Sequence, residues 1–342
     1  MAQQIEFFTE YIPEPGEVYE ISPGILWIRM PLPFKLNHIN LWLLEDDDGW
    51  TMVDTGINDD RTKDLWRSIL GRVLKGKPLS KLVCTHAHPD HIGLGGWVCD
   101  EYGAELFITR EEWAFGRVIS TGVLKDKKTY DDFFLRLGCD KAHLNEYGEH
   151  VMTAEQLYCS VPHRYQRLRE GSTIQMGGKS WEVIVGLGHS NEHACLYCAD
   201  LNVLIAGDQV LPKITPTIMV QANEPEANPL LDFLESNEKL RYLPESVTIL
   251  PSHNRPFRGL QARLDQYSAH HSERLDVVLG ACDEPRSGLE ITNILFPQDL
   301  DFHGMYFATG EAIAHIRYLE NERKLSRTND VDGIERYCAI KL

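Results

Sequence analysis

Apolar residues in this chain cluster in short runs near the start, thin into helical stripes, return as short runs in the middle, and end in helices. The segments 24–30, 38–44 and 50–53 are short and rich in β-branched or aromatic residues, the pattern of strands. Glu45-Asp-Asp-Asp-Gly49 between the last two is a turn signal. Over 58–74 the period changes, and Leu65, Trp66, Ile69, Leu70 and Val73 fall on one helical stripe. A strand at 82–85, a helix at 92–102 and a strand at 105–109 follow. From Glu111 to Arg169 the pattern is helical and less regular, with Trp113, Phe115, Tyr130, Phe133, Phe134, His143, Tyr147 and His150, and reads as a helical insertion. Strands resume at 173–176, 181–185, 194–199, 202–206 and 247–250, with a helix at 229–242 among them. Helices at 260–282, 287–295 and 304–323 and a strand-like tail at 334–340 complete the chain. No internal repeat or low-complexity tract is present.

The length of 342 residues suits a large domain plus a smaller one, with the boundary expected between 259 and 260. Apolar content of 43% and charged content of 25% are those of an ordinary globular protein. No apolar run approaches the ~20 residues of a membrane span. Residues 1–10 lack the basic region and apolar core of a signal peptide, so no membrane partner is expected. The net charge of -17 opposes a phosphate backbone and argues against nucleic acid as a partner. Eight cysteines are scattered along the chain, which reads as reduced, buried thiols and a cytoplasmic location. Cys195 and Cys198 form a lone C-x-x-C inside an expected strand. Their odd spacing puts them on opposite faces, which favours packing over metal binding.

His86, His88, Asp90 and His91 change the picture. They follow the strand at 82–85 as H-x-H-x-D-H, three imidazoles and a carboxylate that packing does not explain. Imidazole and carboxylate are the usual zinc ligands. The same local arrangement recurs: an apolar strand ends and a ligand-type residue follows at once. Asp54 follows 50–53, His189 follows 183–187, Asp208 follows 203–206, and His253 follows 247–250. Strands lying side by side place such ends along one edge. Glycine before His189 and before Asp208 allows a sharp turn there. Taken singly, His189 could cap a turn, His253 could be a satisfied core histidine and Asp208 an N-cap. Together, His86, His88, Asp90, His91, His189, Asp208 and His253 are seven candidates. One catalytic zinc takes about four ligands including water, so seven fit two metals.

The order Asp54, H-x-H-x-D-H, His189, Asp208, His253 resembles the metallo-β-lactamase superfamily over about residues 20–257. That resemblance implies an α/β fold, a four-layer αββα sandwich. It implies a first metal on His86, His88 and His189, a second on Asp90, His91 and His253, and Asp208 as the bridge. Asp54 would hold the metal loop by hydrogen bonds. The cofactors implied are two divalent ions, zinc first, with manganese or iron able to occupy such N/O sites. The implied chemistry is hydrolysis by a metal-held hydroxide, with Asp90 orienting the nucleophile or passing a proton to the leaving group.

An aspartate at the position of Asp208 departs from the true β-lactamases of the superfamily and argues against antibiotic hydrolysis. What remains is similar to hydroxyacylglutathione hydrolases and to the β-lactamase-like-protein-2 group, whose members end in a small winged-helix-like domain. Residues 260–342 are expected to form such a mainly helical domain, shaping the pocket or a homodimer interface. The expected substrate is a small-molecule thioester, ester or lactone. The alternatives are a metal-dependent nuclease or phosphodiesterase, and a metal-binding protein without turnover. Trp113, Tyr130, Phe133 and Phe134 are the candidates for an apolar pocket wall, although aromatics at helical spacing more often build a core. Lys213 is the candidate for a substrate carboxylate.

Overall fold

The computed structural model describes residues 4–122, 126–140, 144 and 154–341. His143, Tyr147 and His150 of the expected insertion lie outside the described residues. The chain divides into two compact units. The first comprises Met1–Val123, Ala154–Pro216 and Asn237–Leu264, and the second Leu124–Thr153, Thr217–Ser236 and Asp265–Leu342.

The first unit is a sandwich of two seven-stranded mixed sheets. β1 (Glu6–Phe7) belongs to one of them. The other is built, in spatial order, from β2 (Val18–Ser22), β3 (Ile25–Pro31), β4 (His38–Glu45), β5 (Trp50–Val53), β6 (Leu79–Val83), β7 (Glu105–Ile108) and β8 (Gln166–Arg167). β1 heads the second sheet. It is followed in space by β14 (Phe257–Arg258), β13 (Thr248–Pro251), β12 (Val203–Gly207), β11 (His193–Cys198), β10 (Lys179–Gly186) and β9 (Thr173–Met176). The alternation of each strand sorts its side chains to two faces. Trp27, Trp42 and Val53 from one sheet meet Trp181, Val183 and Leu196 from the other in the apolar middle layer. The opposite face of the first sheet, with Ile28, Leu41 and Met52, is covered by Trp66, Ile69 and Val98. These come from the helices Asp60–Val73 and Gly95–Tyr102, the first of which carries the stripe expected from the sequence. Asp59 caps helix Asp60–Val73, accepting the Thr62 N–H at 2.6 Å.

The region 111–169 is not uniformly helical. Two helices, Arg110–Ser120 and Lys127–Arg136, and a 3₁₀ turn, Ala154–Leu157, are followed by β8, which pairs in parallel with β7. The second unit also takes in 124–153 and 217–236, outside the 260–342 expected for the C-terminal domain. The reason lies in burial. Tyr130, Phe133 and Phe134 are buried side chains of helix Lys127–Arg136, with Phe134 5.8 Å from the Tyr306 ring. Leu137 O accepts the Leu289 N–H at 2.9 Å, and Gly310 O accepts the Val220 N–H at 3.1 Å.

The second unit carries most of helix Leu260–Ala281, then Gly288–Leu295, Phe302–Asn321 and a hairpin of β15 (Leu325–Asn329) and β16 (Glu335–Ala339). Arg286 pairs with Tyr337 in a single antiparallel bridge beside that two-stranded hairpin. Helix, bridge, two helices and a hairpin is the element order expected of a winged-helix-like domain. Among the described residues no helix is long and apolar enough to cross a membrane.

Candidate metal centre

Five strands deliver ligand-type residues at their C-terminal ends. β5 runs parallel to β6 with Val53 opposite Val83, so Asp54 and the residues after Val83 leave the sheet together. β12 runs parallel to β13 with Gly207 opposite Pro251, which brings Asp208 beside the turn to His253. β10 ends at Gly186, three residues before His189. The first sheet therefore supplies Asp54 and His86–His91, and the second supplies His189, Asp208 and His253.

All seven expected ligands converge. Ligand atoms of His86, His88, His189 and Asp208 lie within 4.8 Å of one another, as do those of Asp90, His91 and His253. His86 Nε2 and His88 Nδ1 face each other at 2.9 Å. Asp208 reaches into both groups: its carboxylate lies 3.4 Å from His189 Nε2, 3.5 Å from His91 Nε2 and 3.4 Å from His253 Nε2. Asp90 lies 3.7 Å from His91 Nε2 and 3.5 Å from His253 Nε2.

The ring nitrogens pointing away from the cluster are tied down. His91 Nδ1 donates to Asp54 Oδ2 at 2.8 Å, and His253 Nδ1 donates to the His38 carbonyl at 2.8 Å. With Nδ1 committed in this way, Nε2 is the nitrogen left facing the carboxylates, the one a metal-binding imidazole would use. His91 Nε2 is buried and makes no hydrogen bond. A buried polar atom without a partner, aimed at two carboxylates, is what a ligand atom looks like before a cation is considered. Electrostatics divides the cluster. Burial, with the neighbouring histidines, holds His86 well below the ordinary histidine range and His88 down to about 3, so both are neutral donors. Burial opposes charge on His91 and His253 too. There the carboxylates outweigh it, raising His91 well above its usual value and His253 to about 10. Asp208 is buried as well, yet His253 and His91 hold its carboxyl well below the usual range. The donor set, two neutral imidazoles here and carboxylates with imidazoles there, fits divalent cations.

Asp54 is buried and bonds to residues of the loop that carries H-x-H-x-D-H. Its Oδ1 accepts the Thr85 N–H at 2.8 Å and its Oδ2 accepts the Thr85 hydroxyl at 2.8 Å, besides His91. Its φ is 59°, a left-handed conformation that aspartate tolerates better than most residues. Of the proposed pocket residues, Trp113 donates to the Pro162 carbonyl at 2.9 Å and stacks on Tyr165 at 4.6 Å. Lys213 lies 5.5 Å over the Phe7 ring. Tyr130, Phe133 and Phe134 are core residues of the second unit. All five make packing contacts.

Three residues of the site escaped sequence reasoning. His193 is fully buried, and its Nε2 accepts the Asp208 N–H at 3.0 Å. Gly207 makes that approach feasible: with φ at +52°, a Cβ there would fall 2.3 Å from His193 Nε2. His38 fixes His253 through its carbonyl and accepts the Asn254 N–H on Nε2 at 2.9 Å. Glu112 is buried behind the loops. A histidine opening an apolar strand, as His193 does, was the one available signal.

A mixed α/β sandwich with a His/Asp cluster at its strand ends defines a metal-dependent hydrolase. The chain belongs to the metallo-beta-lactamase superfamily, whose family model matches residues 35–253. A second model, for the metallo-beta-lactamase-like C-terminal domain, matches residues 275–340. A crystal structure of a beta-lactamase domain protein from Burkholderia ambifaria is 40% identical, covers 98% of each chain and superposes with a TM-score of 0.91. A metallo-beta-lactamase family protein from Thermus thermophilus is 28% identical over 94% of this chain and 100% of its own, with a TM-score of 0.81. The probable metallo-hydrolase YqjP of Bacillus subtilis is 22% identical over 89% of this chain and 95% of its own length. A linear primary-alkylsulfatase of a Pseudomonas species is 23% identical over 64% of this chain and 42% of its own.

Proposed function

We propose that this chain is a dinuclear zinc hydrolase of small-molecule thioesters, esters or lactones. The observation that carries the two-metal reading is Asp208, with its carboxylate 3.4 Å from a histidine of each ligand group. His86, His88 and His189 would hold one ion and Asp90, His91 and His253 the other, with Asp208 between them. Zinc suits this mixture of imidazole and carboxylate, as do manganese and iron. When bound, the ions supply Lewis acidity and bring a water molecule's pKa toward neutrality.

The remaining work falls to the chain. Asp54 and the His38 carbonyl orient His91 and His253, and His193 fixes the backbone at Asp208. Asp90, beside both histidines, would orient water and carry a proton to a leaving group. A charge of -17 supports a small substrate over a polyanion, and eight free cysteines support a reducing, cytoplasmic setting.

A second reading, phosphodiester or sulfate-ester hydrolysis, is favoured by the winged-helix-like element order and by the relative named as an alkylsulfatase. The deciding experiment assays zinc-loaded protein and Asp208→Ala in parallel on thioesters, lactones, a bis-aryl phosphodiester, a primary alkyl sulfate and single-stranded RNA. Elemental analysis counts the metal. Metal-dependent turnover of the acyl substrates, abolished by the substitution, is expected. Phosphodiester or sulfate cleavage with silent acyl substrates would replace the first reading by the second.

A further inference from the structure

Two buried carboxylates stand behind the ligand loops. Asp54 serves the group containing His91. The other, Glu112, sits in the first turn of helix Arg110–Ser120 and is fully buried. Its Oε2 accepts the Ala87 N–H at 2.7 Å, and its Oε1 accepts the Glu192 N–H at 2.8 Å. Ala87 lies between His86 and His88, and Glu192 lies three residues beyond His189. One side chain therefore ties together the two loops that carry the imidazoles of the first ligand group.

The neighbourhood reinforces the tie. Thr109 Oγ1 donates to the Glu192 carbonyl at 2.8 Å, and Glu192 Oε2 accepts the Glu111 N–H at 3.0 Å. On the other loop, the buried Tyr158 hydroxyl donates to the Ala87 carbonyl at 3.0 Å. The start of the helix and the segment 190–192 are thus joined through both main chain and side chain. A carboxylate buried this deeply persists because it is hydrogen-bonded. Both of its oxygens are spent on peptide N–H groups of the ligand loops.

We propose that Glu112 is the positioning residue of the first ligand group, a double acceptor that sets the spacing of the His86–His88 loop against the His189 loop. Only a carboxylate fits this role. Glutamine offers one acceptor and one donor, so in either orientation an amide N–H meets a peptide N–H at one of the loops. Aspartate is shorter by a methylene and reaches one loop at the expense of the other. The inference rests on reading that group as a metal site.

The test compares wild type, Glu112→Gln and, as a control on the same helix turn, Glu111→Gln, with Glu112→Asp in reserve should Glu112→Gln not fold. Hydrogen exchange is followed at the Ala87 and Glu192 amides without metal, and zinc affinity is measured against a competing chelator. In Glu112→Gln one of the two amides is expected to exchange at least tenfold faster. Zinc affinity is expected to fall about 10–100-fold, the usual effect of losing a support behind a metal ligand. Glu111→Gln changes neither. Unchanged protection at both amides, or faster exchange with zinc affinity within twofold of wild type, overturns the proposal. If wild type takes up no divalent ion, the metal reading falls. The clamp is then judged by the exchange data and by the imidazole chemical shifts of His86, His88 and His189, which Glu112→Gln must move.

Discussion

Replacing Asp54 by asparagine tests how the second ligand group is held. The side chain is buried and makes three contacts at 2.8 Å: Oδ1 with the Thr85 N–H, and Oδ2 with the Thr85 hydroxyl and His91 Nδ1. Asparagine matches the shape and tolerates the left-handed backbone at φ 59°. Its oxygen can keep the Thr85 amide, but its nitrogen then faces His91 Nδ1 and donates where the carboxylate accepted. The imidazole must move its proton to Nε2, the atom that faces Asp90 and Asp208. A charged hydrogen bond contributes about 1.5–3 kcal/mol, and outer partners of metal-bound histidines typically govern affinity by about 10–100-fold. Asp54→Asn is therefore expected to weaken zinc binding by one to two decades, or ~1.4–2.7 kcal/mol. Titration against a chromophoric chelator, with the unfolding midpoint followed in parallel, measures it. Zinc affinity within twofold of wild type would refute the idea that Asp54 dictates the His91 tautomer.

In the second unit, Arg317 has a side chain only 3% exposed, bonded to the Pro225 carbonyl at 2.8 Å and paired with Glu320, Glu226 and Glu335. Breaking such a buried pair costs about 3–5 kcal/mol. Arg327 touches the same three carboxylates, so Arg317→Met is expected at the low end, with urea unfolding of the variant as the measure. His271 and His315 meet at 3.2 Å, and burial first holds them down to about 2 and about 4. The unfolded chain protonates near the ordinary value of 6.5 while the folded one does not. Their contribution is therefore intact above that pH and is lost on acidification, at about 1.4 kcal/mol per pH unit for each. Glu311, raised by burial to about 7, works in the opposite sense. The readout is thus the difference between wild type and His271→Phe, whose acid limb is expected to be flatter; identical limbs would sink the argument.

The candidate ligand set was legible because each member follows an apolar strand, a pattern visible without coordinates. Parallel pairing of β5 with β6 and of β12 with β13 then makes those ends neighbours. The supports were less visible. Glu112 looks like any acid in a first helical turn, where the dipole alone would explain it. Its role appears only when residues 80 positions away in sequence fold beside it. His193 sits in a strand buried along its whole length, so its periodicity is indistinguishable from that of its apolar neighbours. Cys195 and Cys198 share that burial as free thiols, in keeping with packing. For the aromatic residues between 111 and 169, periodicity reports which face is buried, not which neighbour buries it. Three of them are core residues of another unit.

The two sheets also impose an order in time. The first sheet's candidate ligands are complete at His91, whereas the last candidate ligand of the second sheet is His253. At about 5–20 residues per second, a ribosome needs roughly 8–32 s to travel from one to the other. A nascent chain thus holds only the first sheet's half of the histidine cluster until β13 has been made and paired with β12.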